Sequence, residues 1–193
     1  MAQPSIINLY RESGALLEGH FILSSGRHSA NYLQSALVLA DPQRAEALGQ
    51  QLATKVDAKD YDLVVSPALG GLIIGHEVAR ALQRPFLFTE RKEGEMQLRR
   101  GFTISANARV LVVEDVITTG GSVCECMAVV REHGGLPKMV LAVVDRSPDS
   151  DDRFELPYHT LLAMNVETFA ADTCPLCAQG TLPAIKPGSR GAA

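Results

Sequence analysis

The chain has 193 residues, of which 46% are hydrophobic and 5% aromatic, and its formal net charge is −4. This length fits one domain, and the charge excludes the basic surface of a general nucleic-acid-binding protein. No apolar stretch approaches the roughly 18 residues of a membrane span, and residues 1–10 lack the basic and apolar regions of a signal peptide. We therefore expect a soluble, cytoplasmic protein with no membrane or nucleic-acid partner.

The apolar pattern predicts helices and strands that alternate along the chain. A first helix is expected over residues 6–17, followed by two short strands around a turn at residues 24–27. Asp41 and Pro42 begin a helix that runs to about Val56. Further strands are predicted over 62–66, 85–88, 109–113 and 139–144, and further helices over 71–82 and 121–133. This alternation indicates an α/β fold with a mostly parallel central sheet flanked by helices.

Two segments lie outside the alternating pattern. Residues 91–100 are charged and have no apolar period, and the chain from Thr173 onward is rich in proline and glycine. We expect a single domain over residues 1–172, with a small N-terminal hood formed by about the first 40 residues. The remaining residues, 173–193, are expected to form an irregular tail.

The strongest functional signal is VLVVEDVITTGGS, residues 110–122. Four apolar residues predict a buried strand, and Glu114 and Asp115 follow at its carboxyl end, where ligands bind in open α/β sheets. Hydroxyl groups and glycine amides then lead into a helix, an arrangement that binds phosphate. No lysine follows the glycines, so the segment is not a Walker P-loop. Acids beside a phosphate loop suit a ribose 5-phosphate, which presents both a diol and a phosphate.

At these residues the sequence resembles the diphosphoribosyl-donor signature of the type I phosphoribosyltransferases, which implies their fold. The resemblance implies that Glu114 and Asp115 contact the ribose hydroxyls and that residues 118–122 hold the 5-phosphate. The expected donor-binding residues are Glu114, Asp115, Val116, Ile117, Thr118, Thr119, Gly120, Gly121, Ser122, Arg91 and Lys92. An ordinary strand, turn and capped helix with two solvated acids is the alternative interpretation.

Further segments resemble the members of this family that act on orotate. They are HFILSSGRHS (20–29), SPALGG (66–71), ERKEGEMQLRRG (90–101) and VVDRSPDSD (143–151). The resemblance implies that the Ser-Gly-Arg turn at residues 25–27 borders the base pocket. It also implies that residues 66–71 form the diphosphate-binding loop, which in this superfamily often has a strained peptide, so that a non-proline cis bond there would be a functional feature. It also implies that Thr118 and Arg146 bind orotate, since an arginine fork matches a carboxylate. A surface arginine paired with Asp145 or Asp149 is the alternative for Arg146.

Residues 90–101 resemble the family's mobile catalytic loop, which reaches across a two-fold interface in a homodimer with shared active sites. Arg91, Lys92 and Asp115 are the expected catalytic residues, and Mg²⁺ is expected to arrive with the donor diphosphate without direct protein ligands. The chain departs from the family pattern at four positions, where lysine or histidine is usual. These positions are Ser24, Gly70, Glu95 and Gln97. Arg99 and Arg100 could replace the missing cations, although a solvated hairpin is the plainer interpretation of this charged segment.

The implied reaction joins orotate to the donor phosphoribosyl diphosphate in pyrimidine synthesis. A purine phosphoribosyltransferase, which shares the donor site, and a regulator that binds the donor without catalysis remain alternatives. Cys174 and Cys177 form a CxxC pair, and CPLC followed by KPGSR resembles the tail of some bacterial orotate enzymes. The pair could ligate zinc, but it supplies only half of a four-ligand site, and His159 is the nearest histidine in sequence.

Overall fold

The computed structural model describes residues 5–23, 25–147 and 153–186, so Ser24, Asp149 and the PGSR end of the tail motif lie outside the described residues. The chain divides into two compact units. The first takes in the described residues of Met1–Val38 and Val166–Ala193, and the second is Leu39–Asn165. This division differs from the predicted boundary at residue 172, because Phe169 and Ile185 both form bridges to the N-terminal strands. Among the described residues, no helix is long and apolar enough to cross a membrane.

The first unit is built on an antiparallel strand pair with short helices. These elements are α1 (Ile6–Glu12), β1 (Leu16–Ile22), β2 (His28–Leu33), α2 (Ser35–Leu39, whose last residue opens the second unit) and α6 (Pro175–Gln179). The two strands predicted around the turn are confirmed. The first predicted helix is wrong beyond Glu12, because Gly14 takes a φ of +66° and Leu16 pairs with Leu33. The tail is not wholly irregular, since α6 lies within it.

The second unit contains a six-stranded sheet in the order β5-β4-β3-β6-β7-β8. Its elements are α3 (Pro42–Ala53), β3 (Leu63–Pro67), α4 (Gly71–Leu82), β4 (Phe86–Lys92), β5 (Glu95–Leu98), β6 (Arg109–Ile117), α5 (Gly121–Glu132), β7 (Leu136–Asp145) and β8 (Tyr158–Ala163). Every strand pair is parallel except β4 with β5. The mostly parallel sheet flanked by helices is therefore confirmed. The Asp41 carboxylate caps α3 by accepting from the Gln43 and Arg44 amides, as its place before Pro42 predicts.

Several strands are longer than their apolar runs predict. β4 continues to Lys92 and pairs with β5 around a two-residue turn at Glu93 and Gly94, both of which have positive φ. The charged segment is therefore a β-hairpin. The apolar pattern did not predict β5 because much of this segment is charged. β8 was not predicted, although it forms the edge of the sheet beside β7. β6 continues past its apolar residues to Ile117, which places both acids of the motif inside the strand.

The core of the second unit fixes where the strands end. The central residues of β3, β6 and β7, including Val64, Val65, Val112 and Val143, are fully buried. Adjacent parallel strands present their carboxyl ends at one edge of the sheet, where loops are free to bind ligands. In this unit that edge carries residues 68–70, 118–120 and Arg146.

Candidate active site

The carboxyl edge of β6 and β7 brings the predicted acceptor residues together. Ile117 is paired in register with Asp145, so Thr118 and Arg146 are the next residues on neighbouring strands. The Arg146 backbone N–H donates to the Ile117 carbonyl at 2.9 Å, which extends the contact one residue beyond the ladder. Arg146 is 7% exposed, so the alternative of a surface arginine is wrong.

The two acids of β6 are unequal in their environment. Glu114 is 7% exposed, and its Oε1 accepts a hydrogen bond from the Asp115 backbone N–H at 3.0 Å. Burial, reinforced by the neighbouring Asp115 carboxylate, raises the pKa of Glu114 well above its usual value. Asp115 is less deeply buried. The alternative of two solvated acids therefore fails for Glu114, which is held in a dry site beside a second carboxyl group.

We expect Glu114→Gln to change how stability depends on pH. An acid whose pKa is raised by folding stabilises the folded state only while it is protonated, so wild-type stability should fall, relative to Glu114→Gln, as pH rises from 4.5 through the raised pKa. Below 4.5 the pH dependence of the two proteins should coincide. Thermal unfolding of both proteins across pH measures the difference, and a difference that is flat or shrinks with rising pH would contradict the buried, protonated carboxyl.

The loop between β6 and α5 has the form of an anion cradle. Gly120 has a φ of +80°, and a Cβ there would lie 2.9 Å from the Phe154 ring, so glycine is required both for conformation and for space. α5 begins at Gly121, whose N–H points to the Thr119 Oγ1 at 3.4 Å, with no side-chain cap at the helix start. A twelve-residue helix that starts without a side-chain cap at its N-cap residue is an arrangement suited to binding an anion.

The loop after β3 packs directly against the acid pair. The Ala68–Leu69 peptide bond is cis, as the resemblance implied. A Cβ at Gly70 would lie 2.5 Å from Asp115 Oδ1, and a Cβ at Gly71 would lie 3.0 Å from the Val113 carbonyl oxygen. A larger residue at position 70 would therefore require the Asp115 side chain to shift, so the glycine lets the loop lie close to this carboxylate.

Arg153 was not found by sequence reasoning, although it supports the acceptor residues. Its buried guanidinium donates to Asp145 Oδ1 at 3.0 Å and Oδ2 at 2.5 Å, and to the Thr118 carbonyl at 3.0 Å. The Asp145 carboxylate raises the pKa of Arg153. This arginine ties the end of β7 to the end of β6, and so positions Thr118 beside Arg146. No motif marks it, because its contact with Thr118 spans 35 residues of sequence.

The cations of the β4–β5 hairpin are mostly paired within the chain. Arg91 contacts Glu125 of α5 at 2.5 Å, whereas Arg99 and Arg100 both contact Glu90, at 3.3 and 2.8 Å. Lys92, with a side chain 51% exposed, has its recorded acidic contact with Glu93 at 4.0 Å. Of these four cations, Lys92 is therefore the least constrained. Among the positions that depart from the family pattern, Glu95 lies opposite Lys92 and Gln97 lies opposite Glu90 in the hairpin register.

The first-unit residues predicted to border the base pocket are anchored locally. Arg27 donates to the Thr168 Oγ1 at 2.8 Å and to the Thr168 carbonyl at 2.6 Å, both within the first unit. The predicted role of this turn in base binding stays a prediction.

Comparison with known proteins assigns the class that this fold and site define. The sequence profile of the phosphoribosyl transferase domain matches residues 38–155, which include strands β3 to β7, the acid pair and the anion cradle. The chain is 50% identical over 187 residues to the orotate phosphoribosyltransferase of Carboxydothermus hydrogenoformans, covering 96% of this chain and 97% of that relative. It is 51% identical over 196 residues to that of Sphingopyxis alaskensis, with both chains fully covered. The chain belongs to the orotate phosphoribosyltransferase family of type I phosphoribosyltransferases.

Solved structures support the same assignment. The orotate phosphoribosyltransferase of Aeropyrum pernix matches with a TM-score of 0.66 and 26% identity, covering 82% of this chain and 93% of that one. The Mycobacterium tuberculosis orotate phosphoribosyltransferase, solved with inorganic phosphate, matches with a TM-score of 0.65 and 26% identity over 84% of this chain and 97% of that one.

Proposed function

We propose that this chain transfers the 5-phosphoribosyl group from phosphoribosyl diphosphate to orotate, giving orotidine 5-phosphate and diphosphate in the de novo synthesis of UMP. The observation that carries the proposal is full-length identity near 50% to enzymes of that name, in a chain that keeps Thr118 and Arg146 side by side. The reaction forms a bond from an orotate ring nitrogen to the ribose anomeric carbon and breaks that carbon's bond to diphosphate. No protein nucleophile takes part.

The donor is assigned to the loops around the acid pair. Asp115 and Glu114 accept hydrogen bonds from the ribose hydroxyls. Residues 118–122 bind the 5-phosphate through the amides at the start of α5 and the threonine hydroxyls. Residues 68–71 hold the diphosphate through backbone amides. The acid pair thus fixes the sugar between two anion-binding loops, so that the anomeric carbon faces the acceptor.

Orotate is assigned to the carboxyl edge of β7. The Arg146 fork binds the orotate carboxylate with two charge-assisted hydrogen bonds, and Thr118 contacts the base from the neighbouring strand. Because Arg153 holds the ends of both strands, these two groups keep their spacing when the ligand is absent. A planar ring with a carboxylate meets this geometry, whereas a purine base brings no anion for the arginine.

Mg²⁺ is assigned to the donor's own oxygens. Burial raises the pKa of Glu114 well above its usual value, which disfavours the ionised form that binds Mg²⁺. Asp115 is the other acid of the pair, and its carboxylate lies against Gly70. These residues fit an ion held by diphosphate, ribose and water oxygens better than an all-protein cage. When bound, the ion neutralises charge on the departing diphosphate.

The hairpin is assigned to the leaving group, in a cytoplasmic homodimer. Pro67, the last residue of β3, is level with Thr89 of β4, so Lys92 lies three residues beyond the carboxyl edge of the neighbouring strand. At about 3.3 Å per residue, the hairpin projects roughly 10 Å past the edge. Such a projection is long enough to contact a ligand on a second subunit. Alternation along β4 points Arg91 toward its own α5 and Lys92 to the opposite face.

A steady-state assay separates the proposed function from its alternatives. With donor and Mg²⁺ present, we expect turnover with orotate and none above background with hypoxanthine or uracil, since neither base offers a carboxylate to Arg146. Turnover with hypoxanthine instead would establish a purine enzyme. Donor binding by calorimetry without turnover of any base would establish a binding protein.

A further inference from the structure

Four potential metal ligands converge within the first unit. His20 lies on β1 and His28 on β2, whereas Cys174 caps α6 and Cys177 lies inside it. One ligand atom from each, His20 Nε2, His28 Nδ1 and the two Sγ atoms, lies within 4.8 Å of all the others. The first three residues are buried and Cys177 is exposed. The proposed transfer reaction uses none of them.

The separations of these atoms approach those of a tetrahedral zinc site. Zinc bonds of about 2.0–2.1 Å to nitrogen and about 2.3 Å to sulfur place tetrahedral ligand atoms roughly 3.3 to 3.8 Å apart. His20 Nε2 lies 3.7 Å from Cys174 Sγ and 3.6 Å from Cys177 Sγ. His28 Nδ1 lies 3.3 Å from Cys177 Sγ and 2.8 Å from His20 Nε2. Shifts of under about 1 Å bring all four atoms to one ion.

The surrounding contacts orient the histidines toward that point. The Leu182 carbonyl lies 3.2 Å from His20 Nδ1 and accepts a hydrogen bond from the Nδ1–H group. The lone pair of His20 Nε2 therefore faces the cluster. The Ile185 N–H donates to the His20 carbonyl at 2.8 Å, and His28 exchanges two backbone hydrogen bonds of 2.8 Å with Phe169. Residues on both sides of the CxxC pair are therefore tied to the backbones of the two histidines.

We propose that the chain binds one zinc ion through His20 Nε2, His28 Nδ1, Cys174 Sγ and Cys177 Sγ, as a structural site that joins α6 to the β1–β2 hairpin. On binding, Zn²⁺ displaces the two thiol protons to solvent, so that two thiolates and two neutral imidazoles surround the ion and the site carries no net charge. Four protein ligands complete the tetrahedron and leave no position for substrate, which is the form of a structural centre.

Both the ligand types and the local structure favour a resident metal. Thiolate with imidazole suits zinc, whereas Mg²⁺ prefers oxygen ligands. α6 has five residues and α1 has seven, and isolated helices shorter than about 12 residues are marginal in water. A small unit of this kind commonly depends on a metal or disulfide for its stability. The partner histidines differ from the sequence-based candidate, because His159 is exposed on β8 in the second unit.

The test is the metal content of the full chain, purified under reducing conditions without a polyhistidine tag or chelator. Elemental analysis should find about one zinc ion per chain in wild type, and native mass spectrometry should show the mass of one zinc less two protons. Cys177→Ser and His28→Gln should each lose most of the zinc. The matched controls Cys124→Ser and His159→Gln, which change a cysteine and a histidine of the second unit, should retain it.

Cobalt keeps the test independent of whether the variants fold. Wild-type protein stripped by a chelator and loaded with Co²⁺ should show the visible bands of tetrahedral cobalt and a thiolate charge-transfer band, and added zinc should abolish both. Wild type that neither contains zinc nor binds it from a zinc-buffered solution would overturn the proposal. So would zinc retained at full stoichiometry by Cys177→Ser and His28→Gln, or a Cys174–Cys177 disulfide in the reduced preparation. None of these readouts depends on orotate turnover.

Discussion

Replacing Lys92 by alanine is expected to lower kcat by about 100- to 1,000-fold, because a cation placed at the departing diphosphate stabilises charge that develops in the transition state. Arg91, Arg99 and Arg100 are held by Glu125 and Glu90, so they cannot substitute without breaking an existing ion pair. Lys138→Ala is the matched control. It removes an exposed lysine near the start of β7, at the end of the strand away from the proposed site, and should change kcat by less than about twofold.

Subunit mixing then shows whose active site Lys92 serves. Lys92→Ala and Asp115→Asn should each be nearly inactive alone. If the hairpin acts across the dimer interface, a mixed dimer combines both lesions in one site and leaves the other site intact. Random exchange of equal amounts should then restore about a quarter of wild-type activity, since half of the dimers are mixed and half of their sites are whole. Activity that stays at the level of the single variants after exchange is demonstrated would show that the hairpin acts within its own chain.

Replacing Arg146 by alanine should reduce kcat/KM for orotate by about 100-fold or more, because two charge-assisted hydrogen bonds to the carboxylate are lost. The dissociation constant for the donor should change by less than about threefold, since the fork faces the acceptor alone. Arg146→Lys keeps the charge but not the fork, and it should fall between wild type and Arg146→Ala.

The surface substitution Arg131→Ala is the control for Arg146→Ala, because Arg131 lies on α5 and pairs with exposed Glu155. It should leave both ligands unaffected. An equal loss of orotate and donor binding in Arg146→Ala, accompanied by a lowered Tm, would show that Arg146 supports the fold and does not select the acceptor.

The parts of the site that are contiguous in sequence could be predicted, and the parts assembled from distant residues could not. Residues 114–122 carry their own strand end, glycines and helix start, so local chemistry was enough to predict the strand, the loop and the start of α5. Arg153 meets Asp145 and Thr118 only in the folded chain. The CxxC pair was visible, but its histidines lie about 150 residues away, so the sequence pointed to His159 instead.

The fold shows the same limit. Apolar runs located the buried strands and the bounds of α4, because burial is what those patterns record. The β4–β5 hairpin is half charged, and its pairing follows from the Glu93–Gly94 turn and from ion pairs rather than from burial. At Gly70 the sequence shows only that the usual cation is absent, whereas the structure shows that a Cβ there would lie 2.5 Å from Asp115 Oδ1.

The division of the chain into two units has a consequence for synthesis on the ribosome. Leu39–Asn165 is one continuous stretch, so every residue of the six-stranded sheet has been synthesised before the last segment is translated. The first unit is built from two separate stretches of the chain. The His20 carbonyl can accept its hydrogen bond from the Ile185 N–H only after the second stretch has been synthesised. The N-terminal hairpin, although made first, is therefore completed last. We expect a stop codon shortly before residue 166 to give a chain that keeps the six-stranded sheet. The β1–β2 hairpin of that chain would lack its C-terminal partner residues.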